Sequence, residues 1–106
     1  MQRLTPTQLV EHLARVGNPP LLLDVREPWE YEICHLDDSV SMPMGSLHQH
    51  WQEFDQQREI VLICHHGIRS RQVGIFLLQK GFEHLINLEG GVDAWAREVD
   101  KEMAIY

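Results

Sequence analysis

One cysteine of this 106-residue chain stands where a thiol can work as a nucleophile. In Ile63-Cys64-His65-His66-Gly67-Ile68-Arg69-Ser70, Cys64 follows the apolar run Ile60-Val61-Leu62-Ile63 and precedes an amphipathic stretch from about Ser70 to Lys80, stopped by Gly81. The first stretch reads as a buried parallel strand and the second as a helix. Cys64 therefore falls at the carboxyl end of a strand, on the loop that feeds a helix N-terminus. Unpaired backbone N–H groups and the positive end of the helix dipole converge there and favour an anion such as a thiolate. Gly67 lets the loop curl tightly enough for those N–H groups to point inward. The plainer alternative is a buried, inert cysteine at a strand end, against which Gly67 and Arg69 weigh.

The neighbours of Cys64 offer several roles. Arg69 either fixes the loop by pairing with Asp24, which is preferred because that carboxylate otherwise lacks a partner, or turns inward to hold an anion's oxygens. Arg26 stands at the expected cleft edge, as an anion receptor or as a solvated charge. His65 and His66 donate to substrate oxygens, raise the local potential when protonated, or are merely solvated. Seven histidines and two cysteines invite a metal, with Cys34, His35, His48 and His50 as further ligands, but no Cys-x-x-Cys or His-x-x-x-His spacing supports one; no metal or cofactor is expected. Cys34 reads as a packed small residue, with a resolving thiol for Cys64 as the alternative.

The elements that must position these residues alternate. Thr5, Pro6 and Gln8 form a capping box ahead of a helix to about Arg15, ended by Gly17. Leu21 to Val25 is a buried strand, and Pro28 opens a short helix through about Glu32. Val40 to Met42 is a short strand closed by Pro43, and Ser46 to about Phe54 is helical, with Leu47, Trp51 and Phe54 on one face. The Cys64 strand and helix follow, then a strand near His84 to Leu88, and Gly90-Gly91 turns into a last helix carrying Trp95. Such alternation implies an α/β fold, a parallel sheet of about four or five strands with helices on both faces. Ligands in such folds bind outside the carboxyl ends of the strands, where Asp24 and Cys64 both fall.

Length predicts one domain over residues 1–106, able to build a core without disulfides. The formal charge of −7, from 9 basic and 16 acidic residues, argues against nucleic acid as a partner. It also repels anions globally, so a small anionic substrate must be drawn in by local dipoles and a few cations. No apolar run approaches membrane-spanning length, and the first residues lack a secretory stretch; a cytoplasmic protein with free thiols is expected.

The pattern Cys64, Gly67, Arg69, Ser70 resembles the active-site loop of rhodanese-type sulfurtransferases. Leu22 to Glu32, containing Asp24-Val25-Arg26, resembles that family's Asp-Val-Arg segment and the acidic, aromatic helix after it. Leu88 to Trp95, with Gly90-Gly91-Val92-Asp93-Ala94-Trp95, resembles its Gly-Gly-x-x-Ala-Trp segment. The three motifs occur in the family's order, whereas Cys34-His35 stands where the family usually has Gly-His. The resemblance implies a rhodanese-like fold and sulfur transfer through a Cys64 persulfide. It implies a loop of His65, His66, Gly67, Ile68, Arg69 and Ser70 around the substrate, supported by Asp24 and Arg26. The implied donor is thiosulfate or a persulfide, and the implied acceptor a thiol, a protein thiol among them, or cyanide. A sulfur carrier or sensor with low turnover is the first alternative. A phosphatase or arsenate reductase is the second, disfavoured because loops of that kind enclose one residue more than the four between Cys64 and Arg69.

Overall fold

The computed structural model describes residues 1–106. Five parallel strands form one sheet in the order β1-β5-β4-β2-β3: β1 (Gln2–Leu4), β2 (Leu21–Asp24), β3 (Val40–Ser41), β4 (Ile60–Ile63) and β5 (Leu85–Leu88). Between them run α1 (Pro6–Arg15), α2 (Pro28–Ile33), α3 (Met44–His50) and α4 (Ile68–Gln79), and α5 (Gly91–Glu98) follows β5. No helix is long and apolar enough to cross a membrane.

β4 is buried at every position because it lies in mid-sheet with both faces covered. Its alternate residues feed two cores. Ile60, Leu62 and Cys64 pack with Leu23, Leu47 of α3, and Val73 and Leu77 of α4. Val61 and Ile63 pack with Leu22, Ile86, Leu9 of α1 and Val92 of α5 on the opposite face. The period-2 alternation of a strand thus places Cys64 and Cys34, which packs in the second core, on opposite sides of the sheet.

The Thr5 capping box forms: the hydroxyl accepts from Gln8 N at 3.3 Å, and the Gln8 side chain accepts from Thr5 N at 2.9 Å. Apart from shifts of one or two residues at other element ends, such as the start of α3 at Met44, the structure departs from the sequence reading at β1, along Ser46–Phe54 and at the start of α4. β1 is an additional edge strand in register with β5, Gln2 opposite Ile86 and Leu4 opposite Leu88. Its outward residues are exposed, so it carries no apolar pattern. The Ser46–Phe54 stretch is not one helix, for α3 ends at His50 and a 3-10 turn covers Trp51–Glu53. α4 begins two residues before Ser70, at Ile68, directly after Gly67.

The backbone at Cys34 is extended, with φ −165°, a conformation that any residue adopts. Nothing there requires the family's glycine.

Candidate active site

Cys64 sits at the end of β4 and is 1% exposed. Two groups reach its sulfur: the Gly67 N–H at 3.0 Å and the Ser70 hydroxyl at 3.3 Å. The loop is held in this shape from outside through its carbonyls. Val92 N donates to Cys64 O at 2.9 Å and Asp93 N to His65 O at 3.1 Å, so the N-terminus of α5 uses its otherwise unpaired N–H groups on the loop. The Asn87 side-chain amide donates to Gly67 O at 3.1 Å, while its carbonyl accepts from the Ser70 hydroxyl. With these carbonyls drawn outward, the Gly67 N–H is left to turn toward the sulfur, which suits the loop to cradle an anion.

Two glycines make the arrangement possible. Gly67 has φ +96°, where a side chain is strained, and a Cβ there would press on Gly90 N and Leu88 O. A Cβ on Gly91 would collide with the carbonyl oxygens of Cys64 and His65. The Gly90-Gly91 turn therefore brings α5 close enough to grip the loop.

Arg69 does act on the scaffold, but its partner is not Asp24. It makes a bidentate pair with Glu30 of α2, at 2.7 and 2.8 Å. Asp24 is taken by Arg26 two residues along, at 2.6 and 2.9 Å, with both side chains fully buried. Arg26 is thus neither an anion receptor at the cleft edge nor a solvated charge. Its remaining donors go to Glu30 O, Cys34 O and the Tyr106 hydroxyl, at 3.2, 2.6 and 2.9 Å. Burial alone would lower the Arg26 pKa, but its hydrogen bonds to Asp24 and Tyr106 reverse this and raise it. The Arg69 guanidinium holds the Glu30 carboxyl down at about 2, against the opposing effect of burial, with help from Tyr106 and Glu27 N.

His65 lies flat against Tyr106, ring centroids 3.9 Å apart and 2° from parallel, and its Nε2 is buried without a hydrogen bond. Burial first, then the adjacent His66, lowers its pKa; Glu30, Asp93 and the Tyr106 backbone pull upward. His66 is mostly exposed, its Nδ1 4.0 Å from Asp93 Oδ2. Ile68 is 69% exposed, so the loop brings its backbone rather than its side chain into the neighbourhood of Cys64. Of the anticipated residues, then, Gly67 and Ser70 meet the sulfur itself. His65, His66 and Arg69 stand around it, and Asp24 and Arg26 lie behind.

Three residues of the site escaped sequence reasoning. Asn87 had a readable signal, a polar residue in the otherwise apolar strand Leu85-Ile86-Asn87-Leu88. Glu30 showed only as one of the acidic residues in the helix after Asp24-Val25-Arg26, and the structure adds that it closes a capping box with Glu27; Tyr106 carried no signal.

Comparison with known proteins agrees with this geometry. The Rhodanese-like domain family matches residues 5–98. A protein of Allochromatium vinosum named "Sulfurtransferase" is 36% identical over 77 residues, covering 73% of this chain and 72% of that one. The "Probable adenylyltransferase/sulfurtransferase MoeZ" of Mycobacterium tuberculosis is 31% identical over 105 residues, or 97% of this chain. This chain spans only 26% of that relative's length. Among solved structures, a rhodanese-like domain protein from Staphylococcus aureus superposes with a TM-score of 0.84 at 25% identity, covering 100% of this chain and 99% of that one. A rhodanese-related protein from Thermoplasma volcanium gives 0.82 at 28%, covering 93% and 94%. With its motifs, its sheet order and its cysteine cradle all on the same chain, this protein belongs to the rhodanese-like family.

Proposed function

We propose that this protein is a sulfurtransferase that carries sulfane sulfur as a persulfide on Cys64. The Cys64 thiolate attacks the outer sulfur of thiosulfate or of a persulfide donor. The donor S–S bond breaks, and sulfite or the donor thiolate departs with the bonding pair. The terminal sulfur of the resulting persulfide is then attacked by a thiolate, on a small molecule or a protein, or by cyanide, and Cys64 leaves as a thiolate. Sulfur is thereby transferred with no outside oxidant or reductant. The setting we infer is cytoplasmic, in keeping with two free cysteines.

The observation that carries this reading is the Gly67 N–H at 3.0 Å from a buried Cys64 sulfur, inside a loop with carbonyls tied outward. Fixed N–H donors stabilise an anion at the place where it develops, and a persulfide extends that anion by one atom. A phosphatase would need an arginine free to clamp a tetrahedral oxyanion, whereas Arg69 is held by both oxygens of Glu30. The sulfur-carrier reading draws on the MoeZ relative, in which the matched region is a quarter of a longer protein.

Intact mass spectrometry of unreduced protein after incubation with thiosulfate, or with a low-molecular-weight persulfide, tests the proposal. One added sulfur on Cys64 is expected. No added sulfur, or sulfur found only on Cys34, overturns it. Fast single-turnover loading with slow steady-state turnover would favour the carrier reading over a free-standing enzyme.

A further inference from the structure

Tyr106 touches both the loop that carries Cys64 and the ion pairs behind it, although it lies far from Cys64 in sequence. Its hydroxyl accepts from Arg26 Nη1 at 2.9 Å and donates to Glu30 Oε2 at 2.8 Å. One oxygen therefore joins the buried Arg26–Asp24 pair to the Glu30–Arg69 pair. Its ring lies flat on His65, the residue after the nucleophile, and Trp29 meets it edge-on with centroids 6.1 Å apart. Burial first, with Glu30 adding to it, holds the phenol pKa up at about 12, although Arg26 pulls it down; the hydroxyl keeps the proton it donates.

We propose that Tyr106 is a positioning residue for sulfur transfer: its ring clamps His65 against the Cys64 loop while its hydroxyl couples the two ion pairs that brace the loop from behind. The inference rests on the sulfur-transfer reading for its kinetic consequences, but not for the clamp itself. The α5 N–H groups and Asn87 fix the loop carbonyls, yet neither reaches the His65 ring or the Arg69 side chain in the hydrogen bonds found. Tyr106 supplies that second hold. The stack also keeps water from the His65 ring, whose Nε2 has no other partner. The charged and titratable groups facing His65 are His66 on the loop, Glu30 on α2, Asp93 on α5 and Tyr106 itself. Losing the ring exposes His65 and removes the largest cause of its lowered pKa, so the imidazole takes up a proton more readily beside Cys64, with His66 still opposing it.

Two variants separate ring from hydroxyl. Tyr106→Ala loses both, and Tyr106→Phe keeps the stack while releasing Arg26 and Glu30. An NMR titration of the His65 ring should show an upward shift in Tyr106→Ala and the native midpoint in Tyr106→Phe. In persulfide loading of Cys64, both variants should raise the donor KM about 3- to 10-fold, the loss expected for one or two positioning hydrogen bonds, with kcat changed less. Only Tyr106→Ala should also move the acid limb of the pH profile. Thermal melts show whether each variant is folded at the assay temperature.

Native His65 titration in folded Tyr106→Ala, or KM and pH profile superimposable on the native ones, overturns the proposal. Should Tyr106→Ala not fold, the Tyr106→Phe KM decides alone, and a native value overturns it. Should the native protein fail to load sulfur at all, the sulfur-transfer reading falls, while the His65 titration still decides whether Tyr106 is the clamp.

Discussion

Cys64 and Cys34 are both buried free thiols in one small fold, and their surroundings are opposite in kind. Cys64 lies ahead of the α4 N-terminus and has the Gly67 N–H and the Ser70 hydroxyl on its sulfur. Cys34 caps the carboxyl end of α2, the negative end of the helix dipole, where the Glu30 and Cys34 carbonyls accept from Arg26 and no N–H group points at the sulfur from the backbone. A cation is close to it, Arg26 Nη1 at 4.0 Å, but that guanidinium is already engaged by Asp24, two backbone carbonyls and Tyr106. Burial and a neighbouring arginine are therefore not what equips a cysteine for chemistry. An inward N–H with nothing else to bind is what sets Cys64 apart from Cys34, and the outward-tied carbonyls of its loop provide it. Around Cys34 the polar groups serve the scaffold.

That contrast predicts loss of function on one side and loss of stability on the other. The largest effect is expected for Cys64→Ser, which should abolish sulfur loading while leaving the thermal midpoint close to native, because a hydroxyl there can still accept from the Gly67 N–H and donate to the Ser70 oxygen. Loading that survives this change, read by intact mass, would place the nucleophile elsewhere. On the scaffold side, Arg26→Met strips the charged partner from a fully buried Asp24 and leaves Cys34 O and the Tyr106 hydroxyl without their donor. Removing one partner of a buried ion pair costs about 3–5 kcal/mol. That is a large share of the roughly 5–15 kcal/mol that holds a small domain together. Urea denaturation should show it, and a midpoint near native would mean that the pair is dispensable.

Glu30 belongs to both sides, since it pairs with Arg69 at the loop and with Tyr106 behind it. Its folded pKa, about 2, lies below the ordinary 4.5. A carboxyl depressed in this way contributes stability that is fully present above the unfolded value and is lost as pH falls from about 4.5 toward 2. Glu30→Gln should cost about 1–3 kcal/mol at neutral pH through its charge-assisted hydrogen bonds. It should also flatten the decline in stability across that acid window. A variant that declines as steeply as the native protein would show that other carboxyls govern acid unfolding.

How far the sequence reaches differs between the two cysteines for a physical reason. The Cys64 strand, glycine and helix are contiguous, and local rules of burial, chirality and helix ends act on contiguous residues. So the placement of Cys64 at a strand end, the curled loop and the parallel sheet were legible before any coordinates. The partner of Arg69 was not. Asp24 looked unpaired, and Arg26, close by on the same loop, turned inward instead of outward to claim it. Glu30 then reached Arg69 across 39 residues, and Tyr106 reached Glu30 across 76, through tertiary packing that leaves no periodic trace. β1 was missed for a related reason: an edge strand of three residues with exposed Gln2 and Arg3 is fixed by pairing with β5, not by an apolar pattern.

The smallest effect is expected for Cys34→Ala, and it is the sharpest test of the comparison. Cys34 packs in the core on the opposite face of the sheet from Cys64, so β2 and β4 lie between the two sulfurs and a resolving disulfide would require the sheet to open. Alanine removes one sulfur atom from beside Arg26, whose firmer bonds to Asp24 and to the Cys34 carbonyl do not involve that sulfur. Transfer should therefore stay within about twofold of native, and stability should fall by about 1 kcal/mol for the small cavity left behind. Assaying single-turnover loading and turnover of the same preparation separates the outcomes. A loss of turnover alone would make Cys34 a relay that takes sulfur after Cys64, and equal loss of both would end the division of the molecule into a reactive thiol and a structural one.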